Sequence, residues 1–181
     1  MLRPEGMERK RKAFAYITHR SRLLVFAHPD SPAAGIQVPA GTLRSGELPE
    51  LGVMREAREE TGLRDLILGE FLGTQDLDLS PFGRAEIHER YFFHVLCTEE
   101  PPETWRHMEE EPSDGVNRRV PFDFFWAPLP DGVPPLVADH DAKLPLLIEK
   151  LGLDACDPDS PSQPDDPNRS RWSTSGASRK L

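Results

Sequence analysis

The chain has 181 residues, enough for one domain with a hydrophobic core, and 37% of them are hydrophobic. A net charge of −9 argues against general binding to a nucleic-acid backbone, which needs a basic surface. Two cysteines do not make a disulfide framework, and no apolar run approaches the ~20 residues of a membrane span. We therefore expect a cytoplasmic protein without a membrane segment.

The first half of the chain predicts strands around one helix. After a basic lead-in at residues 1–11, β-rich runs between turn residues predict three strands, at residues 12–18, 22–28 and 35–39. A loop with two glycines follows, and residues 49–61 then have a helical pattern. Pro49 fits the first turn of that helix, and Gly62 fits the left-handed conformation that ends helices.

The second half predicts more strands and a final helix. The candidate strands are residues 63–79, broken at Gly69 and Gly73, then residues 85–97 and 118–128. Residues 98–117 are polar and predict an active-site loop or a mobile insert anchored by Trp105, and residues 138–151 predict a helix. Residues 152–181, rich in Pro, Asp and Ser, predict a disordered tail. We therefore expect one α/β domain at residues 12–151, layered on a mixed β-sheet.

The helix at residues 49–61 combines an apolar stripe with crowded acids. Leu51, Met54 and Ala57 recur at spacings of three and predict its buried face, with Val53 at the edge. Three glutamates occupy another single face, at positions i, i+3 and i+4: Glu56, Glu59 and Glu60. Like charges at these spacings destabilise a helix by roughly 0.2–0.5 kcal/mol per pair. Such a local conflict indicates function, and clustered hard oxygen ligands suit Mg²⁺ or Mn²⁺.

Residues 41–63 resemble the Nudix box, a motif of nine specified positions at fixed spacing. Every position is matched: Gly41, Glu47, Arg55, Glu56, Ala57, Glu59, Glu60, Gly62 and Leu63. Only Ala57 departs from the usual choice, a larger aliphatic residue, which affects packing and not chemistry. An acidic cluster alone is most often a solvated helix face. The matched spacing of Gly41, Glu47 and Gly62 favours the functional interpretation.

The resemblance implies a Nudix-type α/β/α sandwich that hydrolyses a nucleoside diphosphate linked to another moiety. Glu56, Glu59 and Glu60 correspond to the metal-binding glutamates of the family, and the carbonyl of Ala40 is often a further ligand. Glu59 or Glu56 serves as general base in some members, whereas others use a base in a loop outside the box. Arg55 typically pairs with Glu47 and orients the glutamates, and Gly41 lets the backbone approach the metal closely. Many relatives are homodimers, and this sequence leaves that state open.

Other chemistry-bearing residues are weaker candidates. Glu89 falls in the apolar register of strand 85–97, so it is either an inward catalytic carboxylate or the sign of a bulge, and both alternatives stay open. Further acids that could supply a base are Glu86, Glu103 and the run at residues 109–111. Three histidines are better explained as surface or satisfied residues than as metal ligands: His88, His94 and His140. Four aromatic residues fit core packing better than base stacking: Phe122, Phe124, Phe125 and Trp126.

The leading hypothesis is a pyrophosphohydrolase that acts on a small nucleotide derivative with Mg²⁺ or Mn²⁺. No short signature outside the box selects a substrate, and we favour a sugar nucleotide or a compound of the ADP-ribose type. A non-catalytic, nucleotide-binding Nudix-like module is the alternative, but such modules commonly lose a box glutamate, and none is lost here. The isomerase branch of the family, acting on isopentenyl diphosphate, needs a catalytic cysteine. Cys97 lies inside a predicted strand and fits that role poorly.

Overall fold

The structure, a computed structural model, describes residues 7–109 and 120–153. It has the strands β1 (Glu8–His19), β2 (Arg22–Ala27), β3 (Ile36–Gln37), β4 (Ala40–Thr42), β5 (Leu66–Asp78), β6 (Glu86–Cys97), β7 (Thr104–Glu109) and β8 (Val120–Pro128), and the helices α1 (Pro49–Thr61) and α2 (Leu144–Lys150). From residue 154 onward the predicted disordered tail lies outside the described residues. So do the first six residues of the predicted lead-in and residues 110 and 111 of the acidic run.

The strands of the described chain form one mixed sheet in the order β5-β6-β1-β2-β8-β7, with β3 paired to β2 and β4 paired to β1. The pair β1–β6 is parallel, and the other pairs are antiparallel. No helix within the described ranges is long and apolar enough to cross a membrane. The second half of β1, from Ala13 onward, is buried on both faces, which makes β1 the centre of the sheet.

Alternate residues of β1 belong to two separate cores, one on each face of the sheet. Ala13 and Ile17 pack in a cluster with Val53 and Ala57 of α1. On the other face, Phe14 packs in a cluster that contains residues of α2. The helices therefore cover opposite faces, and the predicted α/β/α sandwich with a mixed sheet is confirmed.

The basic run at residues 9–12 lies in β1, because this strand begins at Glu8 and not at residue 12. The added residues form a parallel ladder with β6, in which Glu8 pairs with Glu86 and Arg11 pairs with Glu89. Charged residues along a strand give no apolar alternation, so the sequence pattern could not show where the strand begins. The predicted domain boundary at residue 12 falls inside this strand.

Two more strands differ from the prediction. Residues 66–78 form one strand, β5, whose register shifts between Leu68 and Phe71 and again between Phe71 and Gly73. The predicted breaks are therefore irregularities within a continuous strand. Strand β7 lies in the stretch predicted as a loop, where Trp105 stacks on Phe124 with ring centroids 5.0 Å apart. That contact anchors the segment, as we expected of Trp105.

Helix α2 begins at Leu144 and not at residue 138. Ala138 and Asp139 have φ angles of 49° and 55°, a left-handed conformation that cannot continue into a right-handed helix. Pro145 lies in the first turn of α2, where its missing N–H leaves no helical hydrogen bond unmade.

The predicted buried stripe of α1 is wrong at Leu51, whose exposed fraction is 64%, whereas Val53 is fully buried. The residues that α1 buries are Gly52, Val53, Glu56, Ala57, Glu60 and Thr61. Two of the crowded glutamates thus lie on the buried face. The buried face predicted from the spacing of apolar residues was wrong because that prediction assumes that only apolar side chains face the sheet.

A pair of substitutions tests this correction. We expect Val53→Ala to lower the free energy of unfolding by at least ~1.5 kcal/mol, because it removes two buried methyl groups at about 0.8 kcal/mol each. Leu51→Ala, on the same helix, is expected to change it by less than about 0.5 kcal/mol because that side chain is exposed. Urea unfolding measures both variants. A larger loss from Leu51→Ala than from Val53→Ala would contradict the observed helix orientation.

Candidate active site

Arg55 contacts three of the box carboxylates at once. Its Nε donates to Glu47 Oε1 at 2.9 Å and its Nη2 donates to Glu47 Oε2 at 2.8 Å, which makes a two-pronged ion pair. Its Nη1 donates to Glu56 Oε1 at 2.8 Å and to Glu59 Oε2 at 2.9 Å. A planar guanidinium holds its partners in fixed directions, so Arg55 sets the orientation of all three acids. The predicted pairing of Arg55 with Glu47 is present.

Glu47 fastens the loop before α1 to this network. Its Oε2 also accepts a hydrogen bond from the backbone N–H of Arg44 at 2.8 Å, and its own carbonyl accepts one from Arg11 Nη1 at 3.2 Å. The hydrogen bonds from Arg55 lower the pKa of Glu47 to about 2. The same contacts, that to Glu47 first, raise the pKa of Arg55 further above its ordinary value. Both groups therefore stay charged at neutral pH.

Glu56 lies against the backbone of Gly41. A Cβ atom at Gly41 would stand 1.9 Å from Glu56 Cδ, so any larger residue would displace the carboxylate. The Glu56 side chain is 3% exposed. Burial raises the pKa of Glu56, and its hydrogen bond and attraction to Arg55 offset part of that shift. The missing side chain at Gly41 thus leaves room for the Glu56 carboxylate, and close approach of this backbone to a metal stays a prediction.

Glu60 joins α1 to β4, and Glu59 lies on the outer flank. The backbone N–H of Ala40 donates to Glu60 Oε2 at 3.0 Å, and Glu60 is buried. Glu59 is half exposed and also faces Arg44, with 3.7 Å between Arg44 Nη2 and Glu59 Oε1. The structure therefore brings Glu60 together with Ala40, next to Gly41 and Glu56.

The end of α1 is fixed by strand β7, which the sequence did not predict. Gly62 adopts a φ of 75° and its N–H donates to the Arg58 carbonyl at 2.9 Å, which ends the helix as predicted. Trp105 Nε1 donates to the Thr61 carbonyl at 2.9 Å, and His107 Nε2 lies 3.0 Å from the Glu59 carbonyl. These side chains satisfy carbonyl groups that a helix leaves unpaired at its end. The β7 sequence, Thr-Trp-Arg-His-Met-Glu, has no regular alternation of polar and apolar residues, so the sequence pattern gave no signal for these contacts.

A cleft of about 380 Å³ opens beside Ala40, Gly41 and Glu60. The aromatic rings in its lining include those of Phe26, His28 and Phe122. The rings of His28 and Phe122 have centroids 5.0 Å apart. The lining also includes three cationic side chains: Lys12, Arg84 and Arg90. Lys12 is far from Arg84 and Arg90 in the sequence, so residue spacing did not predict that these cations share a cleft.

Glu89 keeps a regular register, so the predicted alternative of a bulge at this residue is wrong. It pairs with Arg11 on β1 and with Asp76 on β5, and the irregularities of the β5–β6 ladder lie elsewhere. Its Oε1 accepts a hydrogen bond from the Tyr91 hydroxyl at 2.6 Å. Glu89 is not among the residues that line the cleft beside the box. Its role as an extra base stays a prediction.

Two other acids outside the box are held in ion pairs. Glu86 lies 2.9 Å from Lys10 Nζ and 3.0 Å from Arg84 Nη2, and hydrogen bonds from Lys10 and His88 lower the pKa of Glu86 to about 2. A carboxylate with so low a pKa is a weak base near neutral pH. Glu103 Oε2 accepts a hydrogen bond from Arg22 Nη1 at 2.6 Å on the surface.

The predicted histidines all have polar partners. His88 Nε2 lies 3.1 Å from Glu86 Oε2, and His94 Nε2 lies 2.7 Å from Thr18 Oγ1. The backbone N–H of Val38 donates to His140 Nδ1 at 3.3 Å. These contacts agree with the interpretation as satisfied histidines, although His88 and His140 also line the cleft.

Core packing describes most of the C-terminal aromatic run. Phe124 and Trp126 belong to the α1-side core, and Trp126 Nε1 donates to the Pro102 carbonyl at 3.0 Å. Phe125 packs against the other core. Phe122 is buried and also reaches the cleft. The buried thiol of Cys97 has its pKa raised to about 11 by burial, which makes it a poor nucleophile.

The donor set of the box fits a divalent ion such as Mg²⁺ or Mn²⁺. Glu56, Glu59 and Glu60 supply hard oxygen donors, and the missing side chain at Gly41 leaves the Glu56 carboxylate against the backbone. In the part of the chain that the structure describes, no group of three or more His, Cys, Asp or Glu side chains is arranged to hold a metal ion. Their oxygens face Arg55 and the Ala40 N–H instead. The oxygen donors of these glutamates suit a divalent ion, but their side chains would have to rotate away from Arg55 and the Ala40 N–H to bind one.

A mixed sheet between two helices, with acids of the first helix against the β4 backbone, is the architecture of Nudix pyrophosphohydrolases. A family model described as "NUDIX domain" matches residues 8–144. The chain therefore belongs to the Nudix family.

Similar solved structures agree with this fold. A UDP-X diphosphatase has a TM-score of 0.55 and 15% identity over 79% of this chain, which spans 63% of that protein's length. A MutT NUDIX hydrolase from Burkholderia pseudomallei has a TM-score of 0.52 and 24% identity, over 76% of this chain and 97% of that one. The E. coli ORF135 protein has a TM-score of 0.52 and 18% identity, over 86% and 97%. None of the curated proteins compared with the chain matches it in sequence.

The low pKa of Glu47 makes a prediction about acid stability. Because its pKa falls from 4.5 to about 2 on folding, the unfolded state binds more protons between these values. The stabilisation from Glu47 is therefore complete above about pH 4.5 and is lost as the pH falls toward about 2. We expect Glu47→Gln to remove it, so the difference in unfolding free energy from the unaltered protein should shrink as the pH is lowered.

Urea unfolding in EDTA from about pH 6 down to about pH 3 measures this difference. Glu149→Gln, which alters an exposed side chain near the end of α2, is the matched control against which the pH dependence of Glu47→Gln is compared. A difference for Glu47→Gln that is the same at all pH values would contradict the ion pair with Arg55.

Proposed function

We propose that this chain hydrolyses a diphosphate linkage in a nucleoside diphosphate derivative, with Mg²⁺ or Mn²⁺ held by the box glutamates. The observation that carries the proposal is the contact of Arg55 with Glu47, Glu56 and Glu59, beside a cleft that opens at Glu60. Glu56, Glu59 and Glu60, with the Ala40 carbonyl, would hold the metal. When bound, such an ion neutralises phosphate charge and lowers the pKa of a bound water.

Side chains of this protein would position the metal-binding acids and accept the proton of the attacking water. Arg55 keeps its charge and holds the box acids in place, so that their reorientation on substrate binding is limited. Glu59 is the exposed acid of the three, and Glu59 or Glu56 would accept the proton of the attacking water. Glu47 ties the loop before α1 to Arg55, and Gly41 keeps space for the Glu56 carboxylate.

The cleft supports a nucleotide derivative as the substrate. Its volume of about 380 Å³ is within the range of small-molecule sites, roughly 300–1,000 Å³. The rings of Phe26, His28 and Phe122 offer apolar faces for a nucleobase. A sugar nucleotide or a compound of the ADP-ribose type is the substrate class that we propose. A cytoplasmic location stays a prediction from composition, and a homodimer stays open.

The alternative is a regulatory module that binds a nucleotide without hydrolysing it. Such a module could use the same cleft, so binding alone does not separate the two functions. Complete retention of the box acids and of their contacts with Arg55 favours the enzyme. The isomerase alternative needs a catalytic cysteine, and Cys97 does not support it, because this thiol is buried and its pKa is raised.

Glutamine substitutions in the box test the proposal. We expect Glu59→Gln and Glu60→Gln to reduce metal-dependent hydrolysis by roughly 10²–10⁴-fold, since each removes a charged ligand or the base. Product release from a panel of sugar nucleotides, ADP-ribose and dinucleoside polyphosphates, with Mg²⁺ and with Mn²⁺, is the measurement. Glu50→Gln, which alters an exposed residue in the first turn of the same helix, is the matched control and should keep its activity.

Thermal unfolding of the same variants separates a loss of catalytic activity from a loss of the folded structure. Glu59 forms an i,i+4 ion pair with Arg55, so its removal is not expected to stabilise the helix, despite the relief of like-charge repulsion. If the unaltered protein releases no nucleotide or phosphate from any member of the panel with either metal, the enzyme proposal fails. Nucleotide binding without turnover would then support the regulatory module.

A further inference from the structure

A groove beside the cleft has a strongly basic lining, and we call it the basic groove. Its volume is about 460 Å³, and it shares Lys12, Arg84 and His88 with the cleft. Among the described residues that line it, Glu8 is the only carboxylate, whereas six side chains are cationic: Arg9, Lys10, Arg11, Lys12, Arg44 and Arg84. In a chain with a net charge of −9, such a local excess of cations favours an anionic partner.

Acids next to the basic groove neutralise part of this charge. Arg9 lies 2.7 Å from Asp76, and Glu86 is shared by two cations, Lys10 at 2.9 Å and Arg84 at 3.0 Å. The side chains of Arg9 and Asp76 are both about half exposed. Exposed ion pairs are weak, because water and salt screen them. Arg9 can therefore readily exchange its carboxylate partner for another.

Two further arginines carry charge that these acids do not neutralise. Arg11 Nη1 donates to the Glu47 carbonyl at 3.2 Å, and its guanidinium lies 5.3 Å from the centroid of the Tyr91 ring. Neither the carbonyl nor the ring carries a charge. The Arg44 side chain is 66% exposed and lies 3.7 Å from Glu59, a carboxylate that the box arginine already binds. The surplus positive charge of the basic groove thus includes Arg11 and Arg44.

The sequence that follows the described part of the chain has the opposite charge. Residues 154–166, which we call the acidic segment, contain five aspartates and neither lysine nor arginine. The aspartates are Asp154, Asp157, Asp159, Asp165 and Asp166. The cations of the remaining tail come only after this segment, from Arg169 onward. The acidic segment therefore matches the basic groove in charge.

The end of α2 lies within reach of the basic groove. Lys150, the last residue of α2, forms an ion pair with Glu70 in β5. Asp76 follows Glu70 by six residues in the same strand, and it pairs with Arg9 in the basic groove. Because a strand rises ~3.3 Å per residue, the groove begins roughly 20 Å from the end of α2.

The chain after α2 is long enough to cover this distance, and it starts on a suitable face of the sheet. The twelve residues from Leu153 to Asp165 span at most ~40 Å, at ~3.3 Å per residue. Lys10 and Lys12 alternate with Phe14 along β1, and Phe14 packs in the core on the α2 side. The basic groove is therefore partly formed on the face from which the acidic segment leaves.

We propose that the acidic segment of this chain binds in the basic groove, where its aspartates form ion pairs with Arg9, Arg11 and Arg44. The covalent connection gives the segment an effective concentration in the millimolar range, which favours it over a separate acidic protein or a second copy of the chain. The groove shares three residues with the cleft, so the bound segment adds negative charge beside the cleft. This contact opposes the binding of anionic ligands there, and salt weakens it.

Amide spectra from nuclear magnetic resonance test the contact in the full chain. The unaltered protein is compared with a variant in which all five aspartates of the acidic segment are changed to asparagine. We expect the amide signals of residues 9–12 and 42–46 to differ between the two proteins. The differences should shrink to less than half as the NaCl concentration rises from about 50 mM to about 500 mM, because salt screens exposed charges.

The matched control for the tail is the double variant Arg169→Gln with Arg171→Gln, which alters the same tail outside the acidic segment. It should leave the signals of residues 9–12 and 42–46 unchanged. Signals from the rest of the described chain show whether each variant is folded.

A peptide of residues 154–166 tests the groove itself. It is titrated into the five-asparagine variant, and we expect saturable binding. Adding Arg9→Gln and Arg44→Gln to that variant should weaken binding at least ~5-fold, since two cations of the groove are lost. Arg58→Gln with Arg64→Gln is the matched control, because both side chains are exposed and neither lines the groove. It should change the affinity less than ~2-fold.

Three results would overturn the inference. One is an identical set of groove signals in the unaltered protein and the five-asparagine variant. Another is a difference that grows with protein concentration, which would mean that the segment of a second copy occupies the groove. The third is an equal loss of peptide binding in both pairs of arginine variants, which would mean that the peptide responds to overall charge alone. These measurements need no turnover, so they are independent of the hydrolysis assay.

Discussion

The ion pairs of Arg55 are the interaction on which this site depends. One guanidinium is shared by Glu47 in the loop and by Glu56 and Glu59 on the helix, at distances of 2.8–2.9 Å. Without it, three carboxylates would face one another around a partly buried point, and their repulsion would oppose the packing of α1 on the sheet. Arg55 therefore stabilises the packing of α1 on the sheet and also fixes the orientation of the acids that we propose as metal ligands.

The central strand β1 connects this network to the cleft. Its antiparallel pairing with β4 holds Ala40 and Gly41 beside the glutamates of α1, and its parallel pairing with β6 places Lys12 next to Arg90. Glu60 of α1 and the cations Lys12 and Arg90 thus reach the same cleft from different elements.

The box could be predicted from the sequence because its chemistry is local. Arg55, Glu56 and Glu59 are close in the chain, and a helix places them together whatever surrounds it. The buried face of the same helix was predicted wrongly at Leu51, because the identity of that face depends on the partner strands. Lys12 and Arg90 come together through a parallel ladder between distant strands, a relation that residue spacing does not encode.

Manganese binding followed by electron paramagnetic resonance tests the central claim, that the box glutamates are the metal ligands. The free Mn²⁺ signal is measured during titration of the unaltered protein and of Glu60→Gln, with Glu50→Gln as the matched control. We expect the unaltered protein and the control to remove Mn²⁺ from solution and Glu60→Gln to do so at least tenfold more weakly. Equal binding by all three proteins would contradict the assignment of the metal to the box.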